Sequence, residues 1–312
     1  MHVIISSIRH GMMENGEERR WGGRAAPGYR CFPCYGGRFF DRRWDMRVAM
    51  ASAAAGRVGR ANEDFTGALP TAAVLVDGAG IPGTESICRH GVAWYANRLG
   101  GGLLGLLSLV PDRGLPAVLA DAIEQVTDDH RDTCDVANRI SPSAAVAILR
   151  LSNGLVEYLV LGDAYVVLDR ADSAPLVVSD RREVVISRSY ASALETVAEG
   201  SDEYHRILSD LRSNRNQPGG FWVAKDDPRA ADEAITGSCP ISELTEVGAA
   251  LLSNGASGIV DRFGLIDWAG VMAVLASSGP EEIIRRVRQA EAHHAVAADD
   301  ATIAHCTDFG PA

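Results

Sequence analysis

The chain has 312 residues, a net charge of −11 and a sequence pI of about 5.2, and 46% of its residues are hydrophobic. This composition is ordinary for a globular protein and provides enough apolar material for a substantial core. The acidic balance argues against a nucleic-acid partner, because such proteins usually carry a basic face. The lack of an apolar run of about 18 residues argues against a membrane span.

The cysteines and the N-terminus together predict a cytoplasmic protein. The first residues have neither a charged leader nor an adequate apolar segment for a secretory signal. Scattered cysteines are typical of a reduced chain. Only Cys31 and Cys34 are close, and since no second ligand pair stands at a suitable distance, we interpret them as an idle pair and not as a zinc or redox site. The oligomeric state is left open.

Residues 1–45 differ in character from the rest of the chain. They are rich in Arg, Gly and aromatic residues and show neither helical nor strand periodicity. Such a segment predicts a poorly ordered extension. A mis-assigned start is the alternative, with Met46 or Met50 as the true first residue. Residues 46–308 are predicted to form the folded domain.

Regular elements begin near residue 46. Strands are predicted at 47–53 and 72–77, and helices at 85–99 and 103–110 with three glycines between them, followed by a helix at 115–129. Four β-rich segments follow at 144–151, 155–161, 165–169 and 176–179. The remaining predictions are a helix at 191–212, a strand at 246–254, helices at 258–263, 268–276 and 281–293, and a final strand at 302–306.

The order of these elements favours an α+β fold. Asn153-Gly154 between two of the strands is a strong hairpin signal, and hairpins make antiparallel pairs. The long helices are grouped before, between and after the strands, which is typical of helices covering sheet faces and not of alternating βαβ units.

Acidic side chains stand at several predicted strand ends. Asp77-Gly78 closes the apolar segment at 72–77, Glu63-Asp64 lies upstream, and Asp299-Asp300 precedes the last strand. Carboxylates held by rigid strand ends suit Mg²⁺ or Mn²⁺, which prefer oxygen ligands in fixed directions. For each of these acidic motifs alone, an ordinary interpretation is open: Asp77 or Asp163 as a turn residue, Glu63-Asp64 as a solvated pair, and Asp299-Asp300 as a turn before the last strand.

The glycines after Asp77 suggest a different function that the context opposes. Residues 78–83 match G-x-G-x-x-G after a strand. The dinucleotide fingerprint needs its third glycine at a helix start and an acidic residue about 20 positions later. Here Pro82-Gly83 predicts a turn, and Ala96-Asn97-Arg98 occupies the later position, so we set this interpretation aside.

Five motifs in order resemble a known family, the type 2C, metal-dependent (PPM-like) serine/threonine protein phosphatases. The resemblance covers about residues 46–308 and implies a four-layer α-β-β-α sandwich of two antiparallel sheets flanked by helices. Its motifs are Arg60-Ala61-Asn62-Glu63-Asp64, Val76-Asp77-Gly78, Leu161-Gly162-Asp163, Leu252-Ser253-Asn254-Gly255 and Asp299-Asp300-Ala301-Thr302.

The resemblance also implies a chemistry and a set of site residues. Two Mg²⁺ or Mn²⁺ ions would hold a bridging hydroxide that attacks the phosphate of phosphoserine or phosphothreonine directly. Arg60, with Arg57 as the alternative, would grip the phosphate in two-pronged fashion. The implied metal ligands are Asp77 bridging both ions, the Gly78 carbonyl, Asp299 and Asn254, with Glu63 and Asp64 binding metal-bound waters and Asp163 helping to hold a third, weaker ion.

Two departures from the family pattern bear on activity. Asn254 stands where the family normally has aspartate, so the site for the first ion loses one anionic ligand. Ala79 stands where many eukaryotic members have a histidine, although bacterial members often lack it. Three functions therefore stay open: an active phosphatase of phosphorylated proteins, a catalytically impaired relative that binds phosphoproteins or regulates a partner, and a small-molecule phosphomonoesterase.

Overall fold

The computed structural model describes residues 44–56, 60–81, 84, 86–198 and 200–311. Residues 1–43, which hold Cys31, Cys34 and most of the predicted extension, lie outside this range, as does Arg57. Within it, no helix has the length and apolar character needed to cross a bilayer.

Ten strands of the described chain form two antiparallel five-stranded sheets. Sheet 1 has the order β1 (Trp44–Ala53), β10 (Ala301–Pro311), β9 (Leu244–Leu252), β6 (Tyr165–Arg170), β7 (Leu176–Val178). Sheet 2 has the order β2 (Phe65–Leu69), β3 (Ala72–Ala79), β4 (Ser143–Ser152), β5 (Leu155–Leu161), β8 (Ile235–Pro240).

Seven α-helices accompany the sheets in the described part of the chain. The first three are α1 (Gly91–Leu109), α2 (Leu115–Asp128) and α3 (Arg182–Glu195). The others are α4 (Asp202–Arg212), α5 (Asn254–Asp261), α6 (Trp268–Ser278) and α7 (Pro280–His293).

Alternating side chains of the central strands build the layers. On β3, Val74 and Val76 pack against α1 and α2, whereas Ala73 and Leu75 face the opposite sheet. On β9, Leu251 faces sheet 2 while Leu252 packs against α5, α6 and α7. Both faces of each central strand are therefore buried, and each large apolar side chain so placed contributes about 1.5–3 kcal/mol. The predicted α-β-β-α architecture is confirmed.

The glycines at 100–102 do not interrupt a helix, contrary to the sequence prediction: α1 runs through them without a break. The reason is packing. A Cβ atom on Gly100 would come within 2.1 Å of the Phe65 ring on β2. The missing side chain lets α1 approach sheet 2 closely, and this contact outweighs the low helix propensity of glycine.

Other element boundaries also differ from the prediction. The single helix predicted at 191–212 is two helices, α3 and α4, separated by a turn in which Gly200 has φ +79°. Strands β2 and β8 were missed, since both are short edge strands with partly polar composition. The helix predicted at 258–263 begins four residues earlier, at Asn254, directly after β9.

Lys225 is the one lysine of the sequence, and its side chain is buried. Its ammonium donates to the carbonyl of Val136 at 2.6 Å and pairs with Asp226. The carbonyl of Lys225 itself accepts from the Tyr95 hydroxyl on α1 at 2.9 Å. The residue therefore ties the segment before β8 to α1 and to the loop after α2.

Candidate metal centre

The pairing of β2 with β3 brings two predicted site residues together. Phe65 lies opposite Val76, so the next residues outward, Asp64 and Asp77, meet at the same edge of sheet 2. Both are nearly buried, with 7% and 9% of their surface exposed. Gly78 and Ala79 continue along β3 beside β4.

The pairing of β9 with β10 brings a second group to the corresponding edge of sheet 1. The Thr302 N–H donates to Ser253 Oγ at 2.9 Å and the Ser253 N–H to the Thr302 carbonyl at 3.0 Å. Asn254, the first residue of α5, and Asp299, before β10, therefore lie next to each other. The N–H of Asp299 donates to Glu291 on α7 at 3.2 Å.

Two hydrogen bonds of Asn254 join the groups. Its backbone N–H donates to Asp77 Oδ2 at 2.8 Å, which connects sheet 2 to the start of α5. Its side-chain Nδ2 donates to Asp163 Oδ2 at 3.0 Å. Asp163 lies in the turn between β5 and β6, where the strand pairing of Tyr165 with Leu252 holds it near Ser253. The structure thus gathers Asp64, Asp77, Asp163, Asn254 and Asp299.

Asp64 is a buried carboxylate whose two oxygens have no hydrogen-bond partner. Burial raises its pKa to about 7, and the charges of Asp300 and Asp299 add to the rise. The hydroxyls of Thr302 and Ser253 lie near enough to offset part of this shift, although neither makes a well-formed hydrogen bond to Asp64.

Asp77 and Asp163 are perturbed in the same direction. Burial raises the pKa of Asp77 well above its usual value, and the neighbouring charges of Asp64 and Asp163 raise it further. Burial also raises the pKa of Asp163, while the Asn254 hydrogen bond and the charge of Arg215 oppose it. Burial and the repulsion between like charges together outweigh the opposing charge of Arg215, so the negative charge of the cluster is only partly compensated.

Two glycines let backbone approach the cluster closely. A Cβ on Gly78 would come within 2.3 Å of the Glu63 carbonyl oxygen, and a Cβ on Gly255 within 2.0 Å of the Asp300 carbonyl oxygen. Any larger residue would push these segments apart. Packing at the cluster therefore requires the glycine in both Asp77-Gly78 and Asn254-Gly255, so these glycines are not only turn residues.

Glu63 and Arg60 lie at one side of the cluster. Arg60 forms an ion pair with Glu63, with 22% and 16% of their side chains exposed. The N–H of Glu63 donates to Asp300 Oδ2 at 2.7 Å, and the N–H of Ala55 donates to Asp300 Oδ1 at 2.6 Å. Asp300, which stands in the fifth motif but was assigned no role from the sequence, therefore positions the segment that carries Glu63 and Asp64.

A cavity of about 360 Å³ opens over the other side of the cluster. Asp163, Asn254 and Asp299 form part of its wall. Arg181 and Arg188, from the start and middle of α3, form another part. No sequence motif indicated either arginine, because α3 lies far from the five motifs. Arg181 contacts Tyr165 and Asp261, whereas exposed Arg188 has no ion-pair partner among the described residues.

Comparison with known proteins gives structural matches only. No family model and no curated protein matches the chain. Among solved structures, similarity is found to the catalytic domain of PstP, a Mycobacterium tuberculosis serine/threonine phosphatase, bound to two manganese ions: 14% identity over 85% of this chain and 100% of that one, TM-score 0.53.

Two further solved structures match to a similar degree. A Mycobacterium smegmatis PPM Ser-Thr phosphatase in complex with cacodylate has 17% identity, covering 85% and 99% of the two chains, TM-score 0.51. A Staphylococcus aureus serine/threonine phosphatase has 12% identity, covering 85% and 96%, TM-score 0.54. The fold of this chain is therefore the PPM phosphatase fold, which confirms the resemblance at the level of architecture.

The gathered side chains suit a divalent cation. Buried carboxylates without partners are costly unless a positive charge compensates them. The unpartnered oxygens of Asp64 and the raised pKa of Asp77 both fall on oxygen donors, which are the ligands that Mg²⁺ and Mn²⁺ prefer. Asn254 fits as a neutral oxygen donor of the same hardness.

Proposed function

We propose that this protein is a metal-dependent phosphatase that hydrolyses phosphoserine and phosphothreonine in proteins. The observation that supports the proposal most is the buried carboxylate cluster with unpartnered oxygens, built from both sheets and open to a cavity lined with arginine. The PPM fold adds support for phosphatase chemistry.

In this proposal the cations are Mg²⁺ or Mn²⁺. Asp77 would bind both ions, and the Gly78 carbonyl would bind the second. Asp299 and Asn254 would bind the first ion, and Asp163 a weaker third ion. Glu63 and Asp64 would bind water molecules held by the ions. The ions supply positive charge that lowers the pKa of water and neutralises phosphoryl oxygens.

The residues of the chain contribute positioning and charge. The Asn254 N–H at the start of α5 holds Asp77 in one orientation, Gly78 lets β3 approach the Glu63 carbonyl, and Gly255 lets the start of α5 approach the Asp300 carbonyl. Arg188 is placed to bind the phosphate from the cavity side. Arg60 would join it only by leaving Glu63, so its proposed phosphate role requires that ion pair to open.

A catalytically impaired phosphoprotein-binding module is the second candidate. The observation that favours it is Asn254: its amide brings no negative charge to the cluster and instead donates to Asp163. Such a site would bind the first cation weakly. A small-molecule phosphomonoesterase is the third candidate. The same scaffold would serve it, since substrate choice lies in surface loops.

A manganese titration tests the proposal. Hydrolysis of phosphoserine, phosphothreonine and phosphotyrosine peptides and of a chromogenic phosphomonoester is measured against Mn²⁺ for the native chain, Asn254→Asp and Asp77→Asn. We expect serine and threonine phosphatase activity that saturates at lower Mn²⁺ in Asn254→Asp and disappears in Asp77→Asn. Asp232→Asn, an exposed acid outside the cluster, is the matched control.

Each alternative gives a different result in that titration. No turnover by the native chain or by Asn254→Asp at saturating Mn²⁺ establishes the binding module. Turnover of the chromogenic ester without any of the peptides establishes the small-molecule enzyme. Full activity in Asp77→Asn contradicts the proposed metal site.

A further inference from the structure

A second group of metal-ligating side chains lies away from the carboxylate cluster. Cys88 and His90 belong to the loop between β3 and α1, and Cys134 belongs to the loop between α2 and β4. The ligand atoms of all three lie within 4.8 Å of one another. Sequence spacing did not reveal the group, since 43 residues separate His90 from Cys134.

The distances fit a tetrahedral metal ion. Zn–S and Zn–N bonds of about 2.3 and 2.0 Å place ligand atoms about 3.5–3.8 Å apart around a tetrahedron. Cys134 Sγ lies 3.3 Å from His90 Nδ1, already slightly closer than that. An ion therefore needs only small shifts of side chains that the fold has brought together.

The surroundings hold the ligands in place. The ring of His90 stacks on Trp94 at 4.4 Å between centroids and an angle of 26°. The N–H of Asp135 donates to the Ile87 carbonyl at 2.9 Å, so the two loops are joined beside the group. Cys88 is buried with 3% of its surface exposed, and Cys134 is half-buried, which leaves access from one side.

The protonation states also suit metal binding. Burial would raise the pKa of Cys134, but hydrogen bonds from Cys88, Thr133 and the N–H groups of Arg89 and His90 outweigh it and lower that pKa. Partial burial, with the charges of Arg89 and His130, lowers the pKa of His90. A metal ion takes thiolate and neutral imidazole as ligands.

We propose that Cys88, His90 and Cys134 form a zinc site that is separate from the phosphatase centre and clamps the β3–α1 loop to the α2–β4 loop. Two thiolates and one imidazole are soft ligands that select zinc over Mg²⁺. The fourth position is open to water or another ligand from the accessible side. The clamp would fix the loop that follows Asp77-Gly78 and the start of α1.

Cobalt spectroscopy on the full chain tests the site without relying on activity. The starting protein carries Cys31→Ser and Cys34→Ser, so that this pair cannot contribute, and is kept reduced. We expect one equivalent of Co²⁺ to give thiolate charge-transfer and tetrahedral d–d bands, and one equivalent of Zn²⁺ to abolish them. The thiolate charge-transfer bands should persist in Asp77→Asn. They arise from cysteine ligands, and cobalt bound at the carboxylate cluster has none.

Single substitutions assign the ligands. Cys134→Ser and His90→Ala, at half-buried positions, should weaken zinc binding by about 100-fold or more while circular dichroism shows a folded chain. Cys239→Ser, which replaces a buried thiol outside the group, should leave the zinc affinity unchanged. Zinc should raise the melting temperature of the starting protein but not that of Cys134→Ser.

Three outcomes overturn the proposal. The first is a reduced starting protein that shows no thiolate–cobalt bands. The second is bands that survive both Cys134→Ser and His90→Ala. The third is zinc that binds the native chain but is lost with Cys31→Ser and Cys34→Ser, which assigns the metal to that pair. A Cys88–Cys134 disulfide that reductant opens without subsequent zinc uptake is a case of the first outcome, and it would make the group a redox pair.

Discussion

The carboxylate of Asp77 accepts a hydrogen bond from the backbone N–H of Asn254 at 2.8 Å, across 177 positions of the sequence. This bond connects the end of β3 with the first turn of α5, whose free N–H groups carry partial positive charge. Asp77 is therefore held both by its own sheet and by a helix that belongs to the other. Its geometry depends on how the two sheets pack.

Replacing Asp77 tests this dependence. Asp77→Asn should reduce Mn²⁺ affinity and phosphopeptide hydrolysis by at least about 100-fold, because the residue contacts both proposed ion positions. The metal-free variant should be at least as stable as the native chain, since a buried charge is removed. Calorimetric Mn²⁺ titration and thermal unfolding measure the two effects; an unstable metal-free variant would contradict the second.

Asp64→Asn should change how stability depends on pH. The folded pKa of about 7 lies above the unfolded value of 3.8, so the folded state binds more protons between these values and stability falls as pH rises through this window. Without metal, Asp64→Asn should raise the free energy of unfolding at pH 8 by at most about 4 kcal/mol. Near pH 4 the gain should vanish. Urea unfolding in EDTA at both pH values measures it.

Asn254→Asp should be less stable than the native chain when metal is absent. The substitution removes the amide donor to Asp163 and places a second carboxylate beside it. We expect a loss of about 1–3 kcal/mol at neutral pH, reversed by Mn²⁺. Unfolding curves with and without Mn²⁺ check this; a metal-free variant as stable as the native protein would show that the amide contact is unimportant.

Adjacent glycines on α1 provide a matched test of helix packing. Gly100→Ala places a methyl group on the Phe65 ring and should destabilise by about 1–3 kcal/mol. Gly101→Ala, whose added Cβ meets nothing within 4 Å, should stabilise by about 0.5–1 kcal/mol. Chemical denaturation compares them, and equal effects would contradict the close approach of α1 to β2.

Arg188→Ala should raise the KM for a phosphopeptide by about 10-fold with a smaller change in kcat, because it removes a positive charge of the cavity wall that we propose binds the phosphate. Arg206→Ala, an exposed arginine paired with Glu203 on α4, is the control. Steady-state kinetics at saturating Mn²⁺ separates the two parameters. An unchanged KM in Arg188→Ala would remove Arg188 from the site.

The sequence predicted helices packed on antiparallel sheets, and the resemblance implied the four layers, because the central strands carry the motifs. The segments around Asp77 and Leu251 are continuous apolar stretches that stop on polar residues, and their order was informative. Edge strands β2 and β8 lack that pattern, and the continuity of α1 through Gly100 depends on Phe65, a contact that lies 35 residues away in sequence. The helix propensity of the residues around Gly100 carries no information about a contact so distant in sequence.

The candidate site was only partly accessible from sequence for a similar reason. Acidic strand ends could be recognised one motif at a time. The positioning role of Asp300, the arginines of α3 in the cavity wall and the approach of Cys134 to His90 follow from tertiary packing of distant segments. Of these residues only Asp300 stands in one of the five motifs, and the motif does not reveal its positioning role.

The burial of Lys225 has a practical consequence. Because this ammonium is enclosed by Val136 and Asp226, an amine-directed acylating reagent should leave Lys225 unmodified in the native chain and acylate it when the fold opens. The rate at which Lys225 is acylated therefore reports how often the native state opens. This rate, read by mass spectrometry, can rank variants without a fluorophore or an activity assay.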